Sequence, residues 1–228
     1  MTRRLHATGK RGFDLLAASV GLVLVSPVLL VVAVMIHFDS SGGIIFGQQR
    51  IGRGFRPFKL LKFRTMVHNA AQIGPAITAG DDPRITRIGR FLRKSKIDEV
   101  PQLLNVIRGE MSLVGPRPEV PKYVEMFRDD YREILKVRPG ITDGASIRYR
   151  DEASLLVAAV DPEEEYRTYI LPTKLALAKE YVRRNSILSD TILITSTLLH
   201  LTGVVRDDSR RVSTKPGESA MRKTIGSQ

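Results

Sequence analysis

At 228 residues and 43% hydrophobic content, the chain has room for one packed domain with an appended membrane element. It has no cysteine, which excludes disulfides, thiolate metal sites and a cysteine nucleophile, and its four histidines (His6, His37, His68, His200) are too scattered for a zinc site. A net charge of +12 points to anionic partners, but aromatics make up only 6% and no basic–aromatic interleaving of the base-stacking kind occurs, which disfavours nucleic acid against anionic lipid or phosphorylated substrates.

The first predicted element is an apolar helix. Leu15 to Ile36 is 22 residues without a charge, enough to span a hydrocarbon core of about 30 Å. The run is too long for a signal peptide and lacks a clean cleavage site. Ser26-Pro27 lies in its middle, where proline removes a donor and kinks or breaks a helix, and the serine hydroxyl can satisfy a freed carbonyl. Arg3, Arg4, Lys10 and Arg11 before the run, and the dense cations from Arg50 to Lys96 after it, both call for the cytoplasmic side. One span cannot satisfy both flanks; a re-entrant helix broken at Ser26-Pro27 can. A kinked transmembrane helix is the competing form.

After Gly42-Gly43, residues 44–66 read as short strands around a glycine-rich turn. Asp82-Pro83 reads as a helix start, with Ile85, Ile88 and Leu92 at helical spacing and Arg84, Arg87 and Lys94 on a basic face suited to lipid headgroups. The next helix spans 98–107, with Val100, Leu103, Leu104 and Ile107 on its apolar face, Pro101 in its first turn and Gly109 closing it. Further helices are predicted at 120–136, 163–185 and 188–201, the last buried or interfacial. From about Arg206 the chain is polar and aperiodic and reads as a disordered tail.

Asp98 and Glu99 carry the chemistry of interest. At the start of a helix, unpaired N–H groups stabilise carboxylates and lower their pKa. Taken alone, the pair reads as a helix cap. Lys62, Arg64, Arg90, Arg93 and Arg117 lie in segments that can converge on it, and Arg117 is held between the two prolines of a GPRP turn. A carboxylate can attack phosphorus to form an acyl phosphate if magnesium and arginine offset the repulsion between anions. No P-loop, GxGxxG or kinase signature occurs.

The blocks KRGFDLL, the Ser-Pro-interrupted helix, KFRTM, IDEVPQLLNVIRGEMSLVGPRP and KVRPGIT resemble the bacterial sugar transferase family, the small monotopic phosphoglycosyl transferases, over residues 10–201. The resemblance implies transfer of a phospho-sugar from a UDP-sugar to polyprenyl (undecaprenyl) phosphate at the cytoplasmic face of the bacterial inner membrane, with release of UMP. It implies a magnesium-dependent, covalent aspartyl–phosphosugar route. Asp98 falls on the nucleophile and Glu99 on its partner, both being the metal-binding candidates. Lys62, Arg93, Arg117, Pro118, Arg150 and Asp190 fall on substrate- or phosphate-binding positions, Ser26 and Pro27 on the helix break, and Lys10 and Arg11 on a basic membrane anchor. DGASIRYRDE after RPGIT departs from the family's usual loop: Asp143 and Ser146 replace the usual types there, so the sugar does not follow from the resemblance.

The expected architecture is an α/β fold, α-rich with a small β-sheet: a basic N-terminus and re-entrant membrane helix over 1–41, a single cytoplasmic catalytic domain over 42–205, and the tail over 206–228. Membrane lipids are expected partners and a homodimer is left open. Without the resemblance, the best rival is a non-enzymatic basic protein that binds anionic lipid or a partner at the membrane surface.

Overall fold

The computed structural model describes residues 2–74, 82–149, 156 and 161–201; Arg150 and the expected tail lie outside these. Helix α1 runs from Thr2 to Asp39 with Pro27 inside it. The sequence suggested two helices separated by a break at Ser26-Pro27, but helical structure continues through both. The reason is local. Pro27 has no N–H to give the carbonyl of Val23, four residues back, and Ser26 Oγ donates to that same oxygen at 2.8 Å. One stripe of α1 packs on the rest of the protein through Asp14, Ala18, Val32 and Ile36, all nearly inaccessible, while Leu16, Val23, Leu24, Leu30 and Phe38 are exposed. The helix is long and apolar enough to cross a membrane.

Strands β1 (Ile45–Ile51) and β2 (Pro57–Phe63) form an antiparallel pair in the register Gln48↔Leu60. A short helix α2 (Ala70–Ile73) follows, then α3 (Arg87–Ser95). The helix start expected at Asp82-Pro83 is displaced. Thr86 is the N-cap of α3, its side chain accepting from the Gly89 amide, whereas Asp82 accepts from the backbone and guanidinium of Arg84. Arg84 is therefore buried rather than part of a basic face, and Ile85 bridges to Met66 as extended chain.

A 3₁₀ turn at Ile97–Glu99 leads into α4 (Gln102–Arg108), which Gly109 closes in the left-handed conformation, φ 85°. Strand β3 (Ser112–Val114) pairs in parallel with β4 (Gly140–Thr142), so the sheet structure among the described residues is two separate two-stranded ribbons. The helix expected at 120–136 is split at Phe127 into α5 (Pro121–Met126) and α6 (Arg128–Ile134). After α7 (Gly144–Arg148) come α8 (Pro162–Glu165), a π turn at Tyr166–Ile170, α9 (Leu171–Arg184) and α10 (Ile187–Leu201).

Three apolar clusters hold these elements. Ala18 of α1 meets Phe58, Leu60, Val106 and Met111; Val32 and Ile36 meet Phe63 and Leu92; Tyr123, Tyr131, Ile134 and Leu171 join α5, α6 and α9. Each fully buried side chain of this size contributes about 1.5–3 kcal/mol relative to exposure. Two of the clusters include α1, so its anchorage and the packing of β2, α3 and α4 are one structure.

Candidate active site

Asp98 is placed by a backbone contact and a turn. Gly89 lets α3 lie directly against the chain after β2: a Cβ there would meet the Thr65 carbonyl oxygen at 2.1 Å. At the end of α3, Lys96 adopts φ 60°, unusual for a side chain of its size, and turns the chain into the 3₁₀ turn that carries both carboxylates. Asp98 is 6% exposed, and its Oδ1 is buried with no hydrogen-bond partner. A buried carboxylate oxygen left open in this way is costly, and a substrate or cation could supply the missing partner.

Glu99 is engaged on both oxygens. Its Oε1 accepts from Lys62 Nζ at 3.0 Å and from Arg117 Nη2 at 2.5 Å, and its Oε2 accepts from Arg117 Nη1 at 3.1 Å, the bidentate form. Lys62 comes from β2, which is pinned to α4 by Asn105. That fully buried amide donates to the Lys59 carbonyl at 2.8 Å and to Glu110 at 2.7 Å, and accepts from the Leu61 amide at 3.0 Å. Arg117 comes from the GPRP turn, which lies on β4 because Gly115 and Gly140 meet backbone to backbone; a Cβ on Gly140 would lie 2.1 Å from the Gly115 nitrogen. Asp143 fixes the turn from the other side, accepting from the Arg117 amide at 3.1 Å and capping α7 through the Ser146 amide at 2.6 Å.

The two carboxylates are driven apart in acidity. Burial pushes the Asp98 pKa up, opposed by the Lys62, Lys96 and Arg93 charges and reinforced by Glu99. Burial acts the same way on Glu99, but the Arg117 and Lys62 cations outweigh it and hold that carboxyl well below its ordinary range. Burial lowers the Lys62 pKa against the pull of Glu99. The sequence led us to expect both carboxylates lowered by a helix N-terminus. Asp98 departs from this because it is buried in a 3₁₀ turn ahead of α4, where desolvation dominates.

Arg93 donates through Nε to Thr65 Oγ1 at 2.9 Å, and its charge acts on Asp98. Pro118 is buried and its carbonyl accepts from Arg50 at 3.1 Å, a backbone role next to Arg117. Asp190 has other contacts: Lys10 Nζ at 2.5 Å and the Tyr181 hydroxyl at 2.8 Å, so it ties the start of α1 to α10. Lys10 is thereby engaged within the protein, as is Arg11, which donates to the Val106 and Ile107 carbonyls at the end of α4. Arg64 also faces elsewhere, donating to the Ile36, Ser40 and Gly43 carbonyls where α1 ends, and Arg90 is exposed on α3. Asn105 was not singled out in the sequence, although an amide among the apolar residues of QLLNVI is the kind of signal that marks a buried polar brace.

No three carboxylates or histidines gather into a metal site among the described residues. Among the described residues Asp98 and Glu99 are the carboxylates that could serve one ion, which suits magnesium, an ion commonly held by one or two carboxylates together with phosphates and water. The open Oδ1 of Asp98 fits that role, while Glu99 already serves two cations.

A family model described as bacterial sugar transferase matches residues 5–203. The exopolysaccharide production protein ExoY of Sinorhizobium fredii is 36% identical over 211 residues, 86% of each chain. The UDP-N-acetylgalactosamine-undecaprenyl-phosphate N-acetylgalactosaminephosphotransferase of Aeromonas hydrophila is 44% identical over 148 residues, 63% of this chain and 34% of that protein. The UDP-glucose:undecaprenyl-phosphate glucose-1-phosphate transferase of Caulobacter vibrioides is 43% identical over 145 residues, 61% of this chain and 53% of that protein. The chain thus aligns with most of ExoY, but with only 34% and 53% of the other two. A match over nearly the whole described structure, carboxylate pair and GPRP turn included, means that the chain belongs to the bacterial sugar transferase family.

Proposed function

We propose that this protein transfers a sugar 1-phosphate from a UDP-sugar to undecaprenyl phosphate in exopolysaccharide or related glycan synthesis, with Asp98 as nucleophile. The observation that carries this is the buried, unpartnered Oδ1 of Asp98 beside Lys62, Arg93 and the Arg117–Glu99 pair. A carboxylate oxygen of Asp98 attacks the phosphorus bonded to the sugar, and the bridging P–O bond breaks, releasing UMP. A phosphate oxygen of the lipid acceptor then attacks the same phosphorus, displacing the carboxylate and regenerating Asp98. Such chemistry is positioning plus charge compensation.

Lys62 and Arg117, held by Glu99, present cations to the diphosphate, and Arg93 adds a third from α3. Burial withholds water from the nucleophile and the acyl phosphate. Asp98, with Glu99 beside it in the chain, would hold magnesium, which would supply charge neutralisation on the diphosphate. Glu99 acts chiefly as the positioning residue for Lys62 and Arg117.

Both ends of the apolar run are fastened to the same domain. Asp14 accepts from Ser112 Oγ at 2.8 Å and the Leu113 amide at 3.2 Å, and Ile36 and Ser40 accept from Arg64. One domain holding both ends favours a monotopic placement on a single face of the bilayer, with the catalytic domain and both termini cytoplasmic, even though helical structure continues through Ser26-Pro27. Tags at both termini should be reachable from one side only; access from opposite sides would overturn that placement. For the chemistry, Asp98→Asn should abolish UMP release from UDP-sugars while membrane association persists. Full activity in that variant would remove Asp98 as nucleophile.

A further inference from the structure

Beyond the carboxylate centre, the structure holds a cavity of about 540 Å³ at the opposite end of α4. Arg53, Arg56, Arg108 and Arg138 line it, with Gly109 and Glu110. None of the four arginines forms an ion pair among the described residues. The single carboxylate, Glu110, is turned inward and accepts from Asn105. Arg138 donates to the Gly109 carbonyl at 2.9 Å, and burial with the Arg11 and Arg53 charges lowers its pKa against the pull of Asp14, so cations outweigh carboxylates around this cavity. Like charges gathered in excess of their counter-charges are relieved when a further anion joins them.

The lip of the cavity is built to hold its shape. Gly54 and Phe55 both adopt positive φ, 67° and 62°, and for Phe55 this is a strained conformation. The turn is closed by the Gly52 amide on the Arg56 carbonyl at 2.8 Å and tied to the end of α6 by the Gly54 amide on the Leu135 carbonyl at 2.9 Å. Phe55 packs on the α5–α6–α9 core with Arg128 stacked 4.9 Å from its ring, so Arg53 and Arg56 flank a fixed residue. The cavity is separate from the Asp98 centre, since α4 alone puts about 10 Å between its two ends.

We propose that this cavity binds a phosphate-bearing anion, and that the anion is the headgroup of an anionic membrane lipid. The source is indicated by position. Arg11, whose guanidinium reaches the α4 terminus beside Gly109, is followed at once by Phe13 and Leu16, 46% and 68% exposed on the apolar helix. The cavity therefore opens where α1 begins its lipid-facing surface. This part rests on α1 being embedded in the membrane, not on the chemistry assigned to Asp98.

The test uses the full chain carrying Arg53→Gln, Arg56→Gln and Arg108→Gln, three exposed positions whose loss leaves the backbone ties intact. UMP release by the variant should match the unsubstituted protein, showing that the fold and carboxylate centre are undisturbed. Pyrophosphate binding, followed by equilibrium dialysis in detergent, should lose one site or weaken there by at least about tenfold, as expected for removed charge-assisted contacts. In nanodiscs containing phosphatidylglycerol, native mass spectrometry should find fewer retained phosphatidylglycerol molecules, with no change for phosphatidylcholine. Weakened pyrophosphate binding with unchanged lipid retention would uphold the anion site and reject the lipid as its ligand. Unchanged binding of both would overturn the proposal.

Discussion

Replacing Asp98 by asparagine should inactivate the protein and also make it more stable near neutral pH. The carboxylate is 6% exposed, one oxygen has no partner, and Glu99 beside it carries the same charge. An unsatisfied buried polar atom costs about 1–3 kcal/mol, more when charged. Asparagine removes the charge but keeps a polar atom at that place, and it forgoes the attraction of Lys62, Lys96 and Arg93. The net gain is then about 1 kcal/mol, or about 2–4 °C in Tm for a chain of this length. The pH dependence has a definite sign. The folded-state pKa of Asp98 lies above the ordinary 3.8, so the folded state binds the proton more tightly. The stability contributed by Asp98 is fully present below 3.8 and is lost as pH rises through the raised value. The advantage of Asp98→Asn should therefore be largest near neutrality and shrink as pH falls toward that ordinary value. Thermal unfolding of the detergent-solubilised protein across this range, with UMP release measured in parallel, checks both parts. A lower Tm for the variant near neutral pH, or an advantage independent of pH, would refute the idea that the site holds its nucleophile at a cost in stability.

Glu99→Gln should lower both kcat and stability, by about 2–3 kcal/mol for the latter, because two cations lose the anion that holds them; the partial exposure of Arg117 keeps this below the full cost of breaking a buried pair. Because Glu99 is depressed below its ordinary 4.5, the stability gap to the unsubstituted protein should be constant above that value and vanish as pH falls through the folded value, as urea titrations at several pH values would show. Gly89→Ala should cost at least about 1–3 kcal/mol, since the new methyl group meets the Thr65 carbonyl, and should reduce activity by displacing α3 and the turn after it; an unchanged Tm would refute the tight contact. Pro27→Ala restores the amide for the Val23 carbonyl but leaves both fastenings of α1 in place, so both termini should stay reachable from one side only; access from opposite sides would show that Pro27, rather than the fastenings, sets the placement.

Much of the local structure was legible in the sequence because periodicity and caps are local signals. The apolar run, the β1–β2 pair, the closure of α4 by Gly109 and the helices at α9 and α10 all belong to this kind. Three-residue strands that pair across an intervening helix pair, as β3 and β4 do, are too short to show alternation, so their partnership was not foreseen. Charge was read less well, because a sequence gives a cation's sign but not its partner. Helical spacing puts Arg84 on a lipid-facing surface, whereas in the fold it is buried against Asp82. Arg64, in a segment that can converge on the phosphate site, instead closes the end of α1. Lys10 and Asp190, 180 positions apart, carry no mutual signal in the sequence and are joined to each other in the fold. The acidic pair was visible as a pair, but the division of labour within it depends on burial and on the approach of Lys62 and Arg117 from distant strands and turns.

The most direct test of the central claim is intact-protein and peptide mass spectrometry of the enzyme mixed with UDP-sugars in the absence of lipid acceptor. Covalent attack predicts a burst of UMP of about one per chain and a sugar-phosphate mass on the peptide carrying Asp98, discharged on adding undecaprenyl phosphate. A substrate that is turned over in the presence of acceptor yet leaves no mass on Asp98 and gives no UMP burst without it would contradict covalent attack by this residue.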